Sequence, residues 1–162
     1  MTNLKAGDSA PEIYGEDENG NALSLSSFSG RKLILYFYPN DDTPTCTKEA
    51  CNLRDNYELL KEKGFEILGV SGNDSKKHLK FIQKYDLPFR LLVDDEMKTI
   101  HGYGVWGPKK FMGREFDGIH RITFVIDENG VIETVIQKVK SGEHAQQILE
   151  ALNTNLSAEQ AD

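Results

Sequence analysis

The sequence predicts an α/β protein built on a mixed β-sheet with helices on both faces. Three observations carry that expectation. Strand-like segments alternate with segments of helical period through the first hundred residues, so crossover helices should join parallel strands. The run Lys32–Tyr38 (KLILYFY) is apolar almost throughout, which marks a central strand covered on both faces. Two strand-like runs near the C-terminus flank Asp127-Glu128-Asn129-Gly130, a turn that must pair them antiparallel. At 162 residues, one domain is expected over 1–154, with a frayed tail at 155–162.

The elements follow in order. Ile13-Tyr14 and Ala22–Leu25 flank Asp17-Glu18-Asn19-Gly20, which predicts an N-terminal β-hairpin because Asn-Gly tolerates positive φ. Ser26–Ser29 gives one helical turn. Pro39 lacks the N–H needed to extend the KLILYFY strand. From Pro44 to about Lys63 the period is helical, with Cys46, Ala50, Leu53, Tyr57 and Leu60 on one stripe. Thr43 or Thr45 is the N-cap, Pro44 suits the first turn, and Gly64 suits the stop. Phe65–Ser71 reads as a strand, and Asp74 or Ser75 opens a helix to about Tyr85 with Leu79 and Ile82 facing in. Phe89–Val93 reads as a short strand, Glu96–His101 as a brief helix, and residues 102–118 as a long loop rich in glycine and aromatics. Arg121–Ile126 and Val131–Gln137 are the last strands. Ser141 caps a final helix carrying Ala145, Ile148, Leu149 and Leu152 on one face. That layout is a thioredoxin-like fold with an N-terminal hairpin extension.

Composition excludes some functions. A net charge of -7 argues against nucleic acid or an anionic membrane surface as the main partner. No apolar run approaches the ~18 residues of a membrane span, and MTNLKAGDSAP holds no apolar signal segment. The expected location is the cytoplasm, where structural disulfides are rare. The predicted exposed faces show no apolar patch, so a monomer is expected.

The chain has two cysteines, Cys46 in the predicted first turn of a helix and Cys51 five residues on. A helix start offers partial positive charge and free N–H groups that favour a thiolate over a thiol of ordinary pKa ~8.5. Cys51 lies deeper and off the inner stripe, so Cys46 is the candidate nucleophile. Residues five apart on an ideal helix have Cα atoms about 8–9 Å apart, against roughly 4.4–6.8 Å in a disulfide. If the two pair, the first turns must unwind. Other readings stand beside this one. Both cysteines read equally as small buried hydrophobes. A zinc site is weaker, because His78, His101, His120 and His144 are scattered without ligand spacing and read as structural or exposed. Gly102–Gly107 matches G-x-G-x-x-G but lacks the strand-turn-helix context of a dinucleotide site.

The stretch Pro39-x₃-Thr43-x₂-Cys46 resembles the active-site signature of the peroxiredoxin family. With Cys51 and the block VWGPKKFMGREFDGIHRITFVID from Val105 to Asp127, the chain is similar to the bacterioferritin-comigratory-protein, or Q-type, branch over residues 4–152. The resemblance implies a thiol peroxidase for hydrogen peroxide and alkyl hydroperoxides, with no metal, haem or flavin cofactor. It implies that Cys46 attacks the peroxide and becomes a sulfenic acid. Thr43 places its hydroxyl beside sulfur and peroxide, Arg121 holds the thiolate and the O–O bond, Pro39 shields the pocket, and Glu49 orients the guanidinium. Cys51 is the implied resolving cysteine, giving a Cys46–Cys51 disulfide that a thioredoxin-type donor reduces. One departure is Thr45, where that branch often carries glycine.

From the residues alone, Arg121 reads equally as a strand-end arginine in solvent, Thr43 as a cap, Pro39 as a terminator and Glu49 as a solvated helix charge. A protein disulfide oxidoreductase shares the fold, but such sites usually read C-x-x-C. A thioredoxin-fold holdase with incidental cysteines is the non-enzymatic alternative.

Overall fold

The apolar run at Lys32–Phe37 forms β3, the strand around which the other elements assemble in the computed structural model. Residues 1–160 are described, with side chains through Asn153. The tail expected to fray, 155–162, lies outside the residues so described. In chain order the elements are β1 (Gly15–Glu16), β2 (Ala22–Leu23), β3, α1 (Pro44–Asp55), α2 (Tyr57–Glu62), β4 (Phe65–Ser71), α3 (Ser75–Tyr85), β5 (Arg90–Val93), α4 (Lys98–Gly102), β6 (Trp106–Phe111), β7 (Arg114–Ile119), β8 (Ile122–Ile126), β9 (Ile132–Ile136) and α5 (His144–Gln160). A 3₁₀ turn at Leu25–Phe28 follows β2.

Among the described residues, seven strands form one sheet in the order β2-β1-β5-β4-β3-β8-β9. The crossovers through α1–α2 and through α3 make β3, β4 and β5 parallel, while β8 and β9 add antiparallel. Both DENG turns form as their chemistry predicts. Asp17 and Asp127 each accept backbone N–H bonds from the turn, and Gly20 and Gly130 take φ of 86° and 79°.

β3 is buried on both faces. Ile34, Tyr36 and Tyr38 meet the inner stripe of α1 and α2 together with Phe81 of α3 and Ala145, Ile148 and Leu152 of α5. Leu33, Leu35 and Phe37 meet a second core closed by Ile13, Phe28, Ile100, Tyr103 and Ile119. Long helices crowd the first face. The second is covered by α4, the 3₁₀ turn and the N-terminal segment.

Four expectations are corrected. The helix over 44–63 breaks at Asn56, whose side-chain amide donates to the Asn52 carbonyl oxygen and whose N–H bonds Leu53, tightening the ladder there. The deepest residues of α3 are His78 and Phe81; Ile82 packs half-buried against the core as expected, while Leu79 is half-buried without joining it. Residues 102–118 are not a loop: β6 and β7 pair as a hairpin through Met112-Gly113, both at positive φ (52° and 79°), the backbone of a two-residue primed turn. Its tip exposes Phe111, Met112 and Phe116, so the surface is not free of apolar side chains there. Ser141 does not cap α5. It begins a 3₁₀ turn, Ser141–Glu143, and Asn52 secures that junction by accepting from Ala145 N–H and donating to the Gly142 carbonyl oxygen.

Candidate active site

The start of α1 and the start of β8 meet at one end of the sheet. β8 runs antiparallel to β3 with Ile122 opposite Phe37, so the entry to β8 lies beside the exit from β3. Thr43, extended at φ −97°, and Pro44 at the first helical position set where α1 begins. Cys46 is the third residue of α1. Its place on the inner stripe buries it to 2% exposure, while its main chain remains in the first turn, whose N–H groups lack helical partners.

Arg121, just before β8, reaches this sulfur. Its Nη2 donates to Cys46 Sγ at 3.1 Å and its Nη1 to Glu49 Oε1 at 2.7 Å. Cys46 and Glu49 are three apart on α1 and share a face, so one planar guanidinium bridges both. Glu49 is 0% exposed, which removes its reading as a solvated helix charge. Burial pushes its carboxyl up to about 7 against the opposing pull of Arg121. Burial works against the Arg121 charge as well, but Glu49 and Cys46 outweigh it and raise the pKa of the guanidinium. Arg121 therefore stays cationic where an unpaired charge would be costly.

Beyond Glu49 stands His144, at the start of α5. Its Nε2 lies 3.6 Å from Glu49 Oε2 and 2.7 Å from Thr123 Oγ1, and its Nδ1 lies 2.9 Å from Gln147 Oε1. Burial lowers this imidazole to about 4; Gln147 opposes that shift and Arg121 adds to it. Glu49 Oε2 has no hydrogen-bond partner. Lys109 of β6 donates to the Ile119 carbonyl oxygen at 2.8 Å and has its pKa lowered by burial and by Arg121, with Cys46 opposing. A second cation thus faces the site. The Tyr36 hydroxyl is buried there too, held protonated by burial and by Glu49.

Thr43 and Pro39 border the loop into α1, both half-buried. The Thr43 hydroxyl donates to the Asn40 carbonyl oxygen at 2.9 Å and makes no side-chain cap to the helix. Thr45 is exposed. Cys51 is half-buried on the same unbroken helix as Cys46, and both thiols are free. Structure thus joins Cys46, Arg121 and Glu49 by direct contact, leaves Thr43 and Pro39 in the segment before α1 with the Thr43 hydroxyl bonded to Asn40, and leaves Cys51 more than a turn away. His144 and Lys109 were missed. A lone histidine has no spacing signal, and Lys109 fell in the presumed loop.

A buried sulfur at a helix start, with a paired cation donating to it, can hold a thiolate and stabilise charge developing on an attacked oxygen. Comparisons with known proteins agree with that chemistry. The AhpC/TSA family matches residues 6–135. Peroxiredoxin Bcp of Escherichia coli K12 is 44% identical over 149 residues, 92% of this chain and 96% of that relative. Peroxiredoxin Bcp of Bacillus subtilis is 42% identical over 92% of this chain and 95% of its own. The structure of the Xanthomonas campestris bacterioferritin comigratory protein, studied for its alkyl peroxide reduction activity, is similar with a TM-score of 0.80. It is 29% identical, covering 95% of this chain and 98% of that one.

Proposed function

The chain belongs to the AhpC/TSA family and is a peroxiredoxin, a thiol-dependent peroxidase, and from that premise we propose that Cys46 is the sulfur that reduces peroxide. One observation carries the assignment: Arg121 Nη2 donates to Cys46 Sγ at 3.1 Å while its other arm is fixed by buried Glu49. The Cys46 thiolate attacks the terminal oxygen of ROOH. An S–O bond forms, the O–O bond breaks, and the electron pair leaves on RO⁻, which takes a proton to become water or an alcohol. Arg121 donates to the oxygens as their charge grows. The Thr43 O–H is committed to Asn40, so its oxygen accepts from the peroxide O–H; Pro39 keeps water from the approach. The substrates are hydrogen peroxide and alkyl hydroperoxides, the latter supported by the Xanthomonas relative.

In the second step, the Cys51 thiolate attacks the sulfenic sulfur, an S–S bond forms as the S–O bond breaks, and the departing hydroxide takes a proton to become water, leaving a Cys46–Cys51 disulfide. An intact α1 holds the two apart by about 8–9 Å between Cα atoms, so its first turns unwind for the sulfurs to meet. A thioredoxin-type dithiol then takes the disulfide by exchange. Action as a cytoplasmic monomer belongs to the same proposal; among the described residues no helix is long and apolar enough to cross a membrane.

Stoichiometric titration of the reduced protein with peroxide, followed by disulfide mapping, tests the cycle. One equivalent should consume both thiols and yield the Cys46–Cys51 disulfide. Cys46→Ser should abolish turnover, and normal kinetics in that variant would refute the assignment. Cys51→Ser should still take one oxidation and then stall. Full donor-dependent turnover there would remove its resolving role.

A further inference from the structure

We propose that His144 is a positioning residue of the peroxide-reducing centre: it shares one proton with Glu49, and that proton governs how Glu49 holds Arg121 against Cys46. The inference rests on the reading that Cys46 and Arg121 carry the reaction.

Gln147 Oε1 accepts from Lys140 N–H at 2.9 Å, and its Nε2 donates to the Lys138 carbonyl oxygen at 2.8 Å. These two bonds orient the amide, so the atom facing His144 Nδ1 is an oxygen and Nδ1 must carry hydrogen. Nε2 is then the one variable position on the ring. It faces the Thr123 hydroxyl, which can turn either way, donating to bare Nε2 or accepting from Nε2–H. It also faces Glu49 Oε2, which is buried and otherwise unpartnered. One proton therefore has two sites, Glu49 Oε2 and His144 Nε2.

Its place changes the guanidinium. With the pair protonated, Glu49 or the pair as a whole is neutral and the Arg121 charge is left for the sulfur. With the proton lost, a bare carboxylate competes with the sulfur for the same cation. Glu49, raised to about 7 by burial, and His144, lowered to about 4, place that loss near neutral pH. Arg121 and the protonated Tyr36 hydroxyl face Glu49, Cys46 and the Lys109 ammonium act on Arg121, and Asp41 acts on Tyr36. None of these supplies a hydrogen bond to Glu49 Oε2.

Single-turnover oxidation of the reduced full-length chain by hydrogen peroxide, followed from about pH 5 to 9, tests this. Beside the ionisation of the thiol, the native profile should carry a step near pH 7 at which the rate falls. His144→Gln should displace that step by a unit or more and slow the reaction about tenfold at neutral pH. Glu49→Gln should abolish the step, and adding His144→Gln to it should change nothing further. A native rate and an unmoved step in His144→Gln overturn the proposal, as do additive losses in the double variant. Should His144→Gln fail to fold, Glu49→Gln decides, because a step that persists without the Glu49 carboxyl also overturns it. Either failure leaves the Cys46 assignment intact; an active Cys46→Ser would remove that assignment instead.

Discussion

Two histidine–carboxylate pairs lie buried around the start of α1, one in the loop before it and one within it. In the first, Asp41 Oδ2 and His78 Nδ1 are 2.6 Å apart. The Tyr38 hydroxyl donates to Asp41 Oδ1, His78 Nε2 bonds the Leu92 carbonyl oxygen at 2.8 Å, and Asp41 N–H donates to Asn73 Oδ1. Every arm has a partner, and the partners come from the end of β3, the β4–α3 loop, α3 and β5. In the second, Glu49 spends one oxygen on Arg121 and turns the other toward His144 across 3.6 Å without a hydrogen bond. Both pairs are equally dry. The fully bonded pair fixes the loop. The incompletely bonded one keeps a carboxyl whose charge can change, and it is the one linked to the Cys46 sulfur through Arg121.

The strongest way to break this contrast is to remove one carboxylate from each pair. Asp41→Ala strands His78 and Tyr38 and should cost about 3–5 kcal/mol of folding stability in urea unfolding. Near pH 4.5, where Glu49 keeps its proton in the folded chain, Glu49→Gln should cost under about 1 kcal/mol, its effect falling on the peroxide rate instead. Equal losses of stability would dissolve the distinction. A sharper probe is Arg121→Lys, because an ammonium cannot reach both Glu49 and Cys46 as the fork does. The peroxide rate constant should fall about 100-fold, near 3 kcal/mol of barrier, with the circular dichroism unchanged. A native rate would show that bridging is not what the site uses.

The most gradual effect is in the pH dependence of stability. Between 4.5 and about 7 the folded chain keeps a proton on Glu49 that the unfolded chain has lost, so this contribution is full at low pH and disappears as pH rises. His144 acts the other way. Between 6.5 and about 4 the unfolded chain binds a proton that the folded one refuses, so stability is lost as pH falls. Where the windows overlap the two slopes cancel. In Glu49→Gln the histidine slope should emerge alone, and the gap between variant and native curves should change by about 1.4 kcal/mol per pH unit. Parallel curves would mean that Glu49 titrates as an ordinary carboxyl.

The fold was legible where the physics is local or periodic. The apolar β3 run, the helical stripe from Cys46 to Leu60 and the two Asn-Gly turns each formed as their residues dictate. What escaped depends on neighbours distant in sequence or on weak turn chemistry. Met112-Gly113 carries no Asn-Gly signal, so the β6–β7 hairpin read as loop. The stripe runs unbroken through Asn56, so the kink there was invisible until its amide was seen on Asn52. At the site, Cys46 stood out by its place at a helix start, and Arg121 and Glu49 entered through the family signature. His144 lies almost a hundred residues from Glu49 in sequence, and only the docking of α5 on α1 brings them together.

The clasp of Asn52 on Gly142 and Ala145 has a bearing on the sulfur chemistry. It anchors the far half of α1 to α5 immediately after Cys51, while the Asp41 bonds anchor the near side before Thr43. Any melting needed to bring the sulfurs together is thereby confined to a short span with both abutments standing. Such a span gains little chain entropy on opening, and it closes again without a long search, since its ends never leave their places. The enzyme would flex one rung of its frame in each cycle, and the part of the core that moves is what this rung contributes, Cys46 and Ala50.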